Sequence, residues 1–313
     1  MLPTTMRTTV RALRPTDLLA LMSRTGGAGW WNAAKPRSRL SGDPSGPALI
    51  GSLLERMLPI EGHSRAWVCY EGNDLRGFLA ARQKTGPSIW EVEALLLGGE
   101  DHEEVSLPLL ESLSREAGLQ GVQKVFLRLP EESPLLPSAR RAGYVPYLRE
   151  TLFVALHPAI SEAEAPPGLR PRRRNDAPDL FRLYTSLAPA WVRQAEGLTL
   201  QEWQETRDRR VAGRRTRQWL LIQDGTQAWL SVQREGRTGF LDLLATPAAP
   251  TEELVRFGLQ QLRCQVVLCL VPEYQALGGV LEDLAFSPVA AYVSLVKPLA
   301  VRVPQARLVP VRA

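Results

Sequence analysis

Apolar positions along the chain fall into two successive series with the same punctuation. Val10-Arg11 opens a β-like run, a polar turn follows, and Leu18, Leu21 and Met22 then recur at helical spacing. The order returns at Leu169-Arg170, Asp176 and the helical set Leu180, Leu183, Tyr184. Trp67 to Asp74 and Trp219 to Thr226 are each an apolar strand entering an Asn/Asp/Gly turn, a hairpin signature. Strands at Ser88 to Leu97 and Gly239 to Ala245 follow, then Glu103-Glu104-Val105 and Glu252-Glu253-Leu254 open amphipathic helices. Val125 to Glu131 matches Val267 to Glu273, and Ala142-Gly143-Tyr144-Val145-Pro146 matches Leu284-Ala285-Phe286-Ser287-Pro288, with a constant offset of 142.

Five matching segments in one order predict a tandem duplication. The boundary falls in the Pro/Ala/Glu-rich stretch 158–167, leaving a first copy over 1–157 and a second over 168–313. Each copy reads β-α-α-β-β-β-α-β-α-β. The helices are expected near 16–25, 46–59, 103–117 and 134–142, then near 176–187, 199–212, 251–262 and 274–284. The near-continuous apolar runs Val122 to Leu129 and Gln265 to Val271 suit strands buried on both faces. Each follows a strand and a helix, so a right-handed crossover should place it parallel to that strand. The fold class is α/β (α+β): two modules, each a mixed central sheet flanked by helices.

Composition adds limits rather than a function. At 313 residues, 44% apolar and 23% charged, the chain is globular in type. Its longest apolar run, Val266 to Val271, is far short of the ~20 residues of a membrane span. The first residues lack a signal-peptide core, so a cytoplasmic protein without membrane contact is expected. Cys69, Cys264 and Cys269 imply no disulfide framework, and with His63, His102 and His157 they share no metal-type spacing, so no metal is expected.

The two-fold order, Val10-Arg11…Asp17 at its start and Ala139-Arg-Arg-Ala-Gly-Tyr144 near the end of copy one together resemble the GNAT-type N-acetyltransferase superfamily, twice over. The resemblance implies acyl transfer from acetyl-CoA to an amine, on a small-molecule or peptide acceptor. It also implies a phosphate cradle after the fourth strand, where bare N–H groups at a helix start bind a pyrophosphate. In copy one that place holds Leu97, Gly98, Gly99 and Asp101, with carboxylates around it. In copy two it holds Thr246-Pro247-Ala248-Ala249-Pro250-Thr251, without glycine.

The position of the family's general acid is occupied by Ala139 and Leu281, which leaves Tyr144 as the nearby phenol. For the base, Glu91 and Glu93 lie two apart on one strand face, and Asp242 aligns with Glu93. They are either a proton-accepting pair or an Arg-paired strand end. Trp30 and Trp31, in the loop that overlies the acceptor in the resembled fold, are candidate substrate contacts or a packing anchor.

Two further segments stand out. Arg207 to Arg217 carries six arginines but no aromatic platform, which makes nucleic acid an unlikely partner against a solvated helix end. The tail Val301 to Val311 alternates loosely and is expected to cross over and complete the first sheet. The two leading functional classes are an acyl-CoA-dependent N-acyltransferase and a non-catalytic binding or scaffolding protein that kept the fold.

Overall fold

A computed structural model describes residues 8–25, 29–37, 40, 64–86, 88–99, 102–159, 164–203 and 215–300. In the first copy the elements are β1 (Thr8–Ala12), α1 (Asp17–Thr25), β2 (Trp30–Asn32), β3 (Ser64–Glu71), β4 (Asp74–Thr85), β5 (Ile89–Gly98), α2 (His102–Leu119), β6 (Lys124–Pro130), α3 (Leu136–Arg141) and β7 (Val145–Leu156). The second contributes β8 (Leu169–Pro171), α4 (Ala177–Leu187), α5 (Ala190–Glu196), β9 (Arg215–Ile222), β10 (Thr226–Glu235), β11 (Thr238–Ala245), α6 (Thr251–Leu262), β12 (Val266–Pro272), α7 (Gly278–Asp283) and β13 (Ser287–Pro298). The expected helix near 46–59 lies outside the described residues, as does most of that near 199–212.

The thirteen strands of the described residues join one sheet in the order β1-β3-β4-β5-β6-β13-β7-β12-β11-β10-β9-β8, with β2 attached to β5. The pairs β5–β6 and β11–β12 are parallel, as the crossover argument requires, and the others are antiparallel. The copies meet edge to edge by exchanging their last strands: β13 pairs with β6 of the first copy, and β7 with β12 of the second. A shift of 142 residues turns Lys124↔Pro298 into Val266↔Leu156 and Pro130↔Tyr292 into Pro272↔Glu150. The crossing-over expected of the tail is thus performed by β13, and residues 301–313 lie outside the described set.

Helices cover both faces. On one, α2 docks through Val105, Leu109, Leu110, Leu113 and Ala117 at helical spacing, onto Leu79, Val92, Leu95 and Leu127. A Cβ at Gly77 would lie 2.4 Å from Val105 Cγ1, so a glycine there lets α2 approach β4. In the second copy α6 makes the matching layer over Leu230, Leu241 and Val267. On the opposite face, α1 packs Leu21 on Phe78 and Leu96, and α4 packs Leu180 and Leu183 against Leu220, Trp229 and Leu244.

Each copy opens with the same clamp. Asp17 accepts two hydrogen bonds from Arg11, both 2.6 Å, and one from the Arg14 backbone N–H at 2.7 Å. Asp176 accepts from Arg170 at 2.7 and 2.8 Å and from the Arg173 N–H at 2.6 Å. The side-chain bond to its arginine does most to hold each carboxyl down, to about 2 in both cases. Sequence similarity at Arg11…Asp17 and Arg170…Asp176 therefore marks one repeated physical device.

Candidate functional site

β5 and β6 are paired only from Ile89↔Lys124 to Glu91↔Phe126, and beyond that they part. A parting pair of parallel strands leaves backbone groups facing a wedge, and something must satisfy them. In the first copy the chain does so itself. β2 pairs antiparallel with β5 through Trp30↔Gly98, Trp31↔Leu97 and Asn32↔Leu96. Ala33 N–H donates to Leu95 O at 2.9 Å, Leu95 N–H donates to Asn32 Oδ1 at 3.0 Å, and Lys35 N–H reaches across to Arg128 O of β6 at 3.0 Å. Ala33 and Ala34 are fully buried in the wedge.

The cradle residues are spent in the same way. A Cβ at Gly98 would stand 2.4 Å from the Trp30 indole, and one at Gly99 (φ +87°) would stand 2.7 Å from the Arg76 guanidinium. The room these glycines leave is therefore taken by Trp30 and Arg76. Leu97 is buried in the core, its backbone engaged with Trp31, and Asp101 lies outside the described residues. Trp30 and Trp31 both pack because successive strand residues point to opposite faces. Trp30 joins the α1 side, while Trp31 joins the α2 side and meets His102 edge-on at 5.3 Å.

The carboxylates occupy the sheet's other face. Glu93 is the extra residue of a bulge, since Ala81 pairs with Val92 and Ala80 with Ala94. β10–β11 has no such bulge, and Ser231 pairs with Asp242 there. Asp242 is thus level with Ala94, not with Glu93, because Glu93 is an inserted residue.

Arg82 contacts both glutamates, Nε to Glu93 at 2.7 Å and an Nη to Glu91 at 3.2 Å, and Lys84 lies 3.4 Å from Glu91. Burial pushes the Glu91 carboxyl up, but Lys84, Arg82 and Arg128 outweigh it and bring it down to about 2. The surrounding cations thus favour the anionic form of Glu91. This is the Arg-paired alternative, extended by a lysine. Tyr144 is buried in the α2 core, where loss of solvent pushes its phenol well above the ordinary value. Its position is that of a packing residue, away from Glu91 and Glu93.

Residues that the sequence reading passed over complete this face. Arg128 bonds Glu150 at 2.7–2.8 Å, and the Ser294 hydroxyl donates to Glu150 at 2.8 Å. Burial works against both charges, and the partners reverse it: Glu150 is held low and Arg128 high. The available signal was Arg128 itself, a lone charge in the apolar run Val125 to Leu129.

The second wedge differs. β11 and β12 pair from Thr238↔Val266 to Leu241↔Cys269, and among the described residues no strand enters the opening beyond. Ala245 N–H donates to the buried Gln275 side chain at 3.2 Å, and Arg37, arriving from copy one, pairs with Asp242. At the α6 start, Ala249 N–H bonds Thr246 O and Thr251 N–H bonds Ala249 O, while Pro250 has no N–H. Of the four N–H donors of Thr246 to Thr251, two are thus used within the loop and Thr246 donates to Gln227 O of β10 at 2.9 Å.

Among the described residues no three His, Cys, Asp or Glu side chains are grouped to hold a metal, and no helix is long and apolar enough to cross a membrane. No protein-family model matches the sequence, and no curated protein does. Solved structures do. The chain is similar to a tandem GNAT protein from the clavulanic acid biosynthesis pathway, at 16% identity and a TM-score of 0.52, covering 93% of this chain and 98% of that one. It is also similar to a GCN5-related N-acetyltransferase from Sphaerobacter thermophilus, at 16% identity and a TM-score of 0.54, covering 95% and 97%. The fold is that of tandem GNAT proteins over nearly the whole chain.

Proposed function

We propose that this chain is a non-catalytic GNAT-fold protein, a cytoplasmic binding or scaffolding member whose first copy does not take acyl-CoA. One observation carries the reading: residues 30–35 close the β5–β6 wedge with backbone hydrogen bonds to both strands. An extended cofactor arm entering there would have to displace a segment whose backbone is bonded to both strands and whose Asn32, Ala33 and Ala34 are buried. The residues at the cradle support the same view, since Trp30 and Arg76 lie on the two glycines. Acetyl-CoA does not fit this copy as it stands.

The open β11–β12 wedge favours a second reading, in which the second copy alone binds acetyl-CoA and acylates an amine. Thermal unfolding with acetyl-CoA separates the two. A ligand at about 100 times its Kd stabilises by about 2.7 kcal/mol, a shift of several degrees. The proposal expects no shift and no amine-dependent release of free thiol. A shift that survives Trp30→Ala but is lost in Ala248→Tyr, at the exposed α6 corner, would establish the second reading instead.

A further inference from the structure

The far end of α6 carries a feature that neither functional reading uses. An open surface concavity of about 340 Å³ is lined by the exposed Arg217, Arg234 and Arg263 together with Gln260, Gln261 and Leu262. Three guanidiniums thus come from three separate elements. Arg217 lies on β9 and Arg234 on β10, where Arg217 pairs with Val232 two residues before Arg234, so both point to the α6 face. Arg263 is the left-handed C-cap of α6, at φ +47°. Gln261 accepts from Arg217 at 3.2 Å, which steadies that guanidinium against the helix.

Among the described residues no carboxylate lines the cavity, and none of the three arginines has an ion-pair partner. The clamp arginines Arg11 and Arg170, the sheet-face Arg82 and Arg128, and the outer-face Arg256 are all held by an acid. Arg234 Nε donates to Gly236 O at 3.2 Å, and three like charges around one concavity favour an anion there. A guanidinium fork matches the oxygens of a phosphoryl group, and the two carboxamides supply neutral donors. The volume suits a small molecule.

We infer that this cavity is a binding site for a phosphate-bearing small molecule, with Arg217, Arg234 and Arg263 as its anion ligands. It is separate from the cofactor corner: α6 spans 12 residues, so its two ends stand about 18 Å apart. The inference therefore stands whether or not the second copy takes acetyl-CoA. Among the described residues the lining has no aromatic ring on which a base could stack, which favours a small phosphate over a nucleic-acid strand.

Calorimetric titration of the full chain at low salt with inorganic phosphate, pyrophosphate and ADP tests it. Saturable binding of at least one is expected, weakening as salt rises. Arg234→Gln and Arg263→Gln should each weaken it by about tenfold or more, as expected for losing a charge-assisted hydrogen bond. Arg256→Gln, on the exposed side of the same helix, should leave it unchanged, and thermal unfolding checks that every variant folds. Absence of saturable binding to all three probes overturns the inference, as does equal weakening by Arg256→Gln. Tight binding of a single-stranded oligonucleotide, lost in the same variants while the small phosphates do not bind, would replace the inferred ligand with a polymer.

Discussion

Glu150 on β7 stands directly opposite Tyr292 on β13, and the two are themselves separated by the 142-residue offset of the repeat. They straddle the pseudo-two-fold that relates the copies. Around that axis the halves have diverged in chemistry while keeping one backbone. On the first side Glu150 gathers Arg128 and Ser294. Their counterparts across the axis, Leu270 and Leu152, pack with Tyr292 in an apolar cluster. Both bulges of the central pair also obey the symmetry, with Tyr147 and Val289 the skipped residues.

This symmetry makes the charged triad replaceable as a unit. Removing one partner of a buried ion pair costs about 3–5 kcal/mol, whereas exchange for packed apolar groups is often neutral. Glu150→Gln or Arg128→Leu alone should destabilise by that amount in urea titrations. The triple change Arg128→Leu, Glu150→Tyr, Ser294→Leu, which copies the chain's own second half, should cost far less than the sum of its parts. Additive losses would show that the two sides are not equivalent environments.

The exchanged strands should tie both copies into one folding unit. β6 has β13 as its antiparallel neighbour, and β12 has β7, so neither copy completes its sheet from its own sequence. Full-length protein is expected to unfold in a single cooperative transition by circular dichroism. A chain ending before Ser287 should lose that transition altogether, rather than only the second half of it. A stable first copy in that truncation would mean that β6 tolerates an open edge.

The repeated clamps predict a specific acid response. Asp17 and Asp176 have folded pKa values of about 2 against an ordinary 3.8. A depressed carboxyl stabilises the fold above its unfolded pKa and loses that contribution as pH falls toward the folded value. Each clamp should therefore contribute about 2 kcal/mol at neutral pH, a contribution lost between roughly pH 4 and pH 2. Asp17→Asn and Asp176→Asn should each lower stability at neutral pH and flatten the dependence in that window. Denaturant midpoints measured against pH decide it, and an unchanged slope in both variants would refute it.

Trp30 and Gly98 should behave as one pair. Gly98→Ala drives a methyl into the indole and is expected to cost about 1–3 kcal/mol, as overpacking does. In a Trp30→Ala background the same methyl should be tolerated. A double-mutant cycle therefore should show strong positive coupling. Independent effects would mean that the indole does not lie on Gly98.

Much of the architecture was readable in one dimension because its causes are local. Periodicity announced most of the helices, apolar runs the buried strands, and the repeated Arg…Asp spacing the two clamps. β2 escaped notice because three residues after a Gly-rich loop have no period of their own; they become a strand only where β5 and β6 separate. The same holds for the site. Glu91, Glu93 and the paired tryptophans could be picked out as chemically conspicuous, but whether a carboxylate is a base or a fixed anion depends on which cations surround it. Lys84 and Arg82 on β4, and Arg128 on β6 at the other side of β5, surround Glu91.

Sequence alone determined the duplication and the order of elements, since hydrophobic spacing and backbone preference act over a few residues. Only the tertiary structure decided that the copies trade their last strands, that Glu93 is an inserted residue, and that the chain fills its own wedge. Those outcomes are set by which backbone groups remain unpaired once the sheet has formed, and a linear pattern carries no record of them.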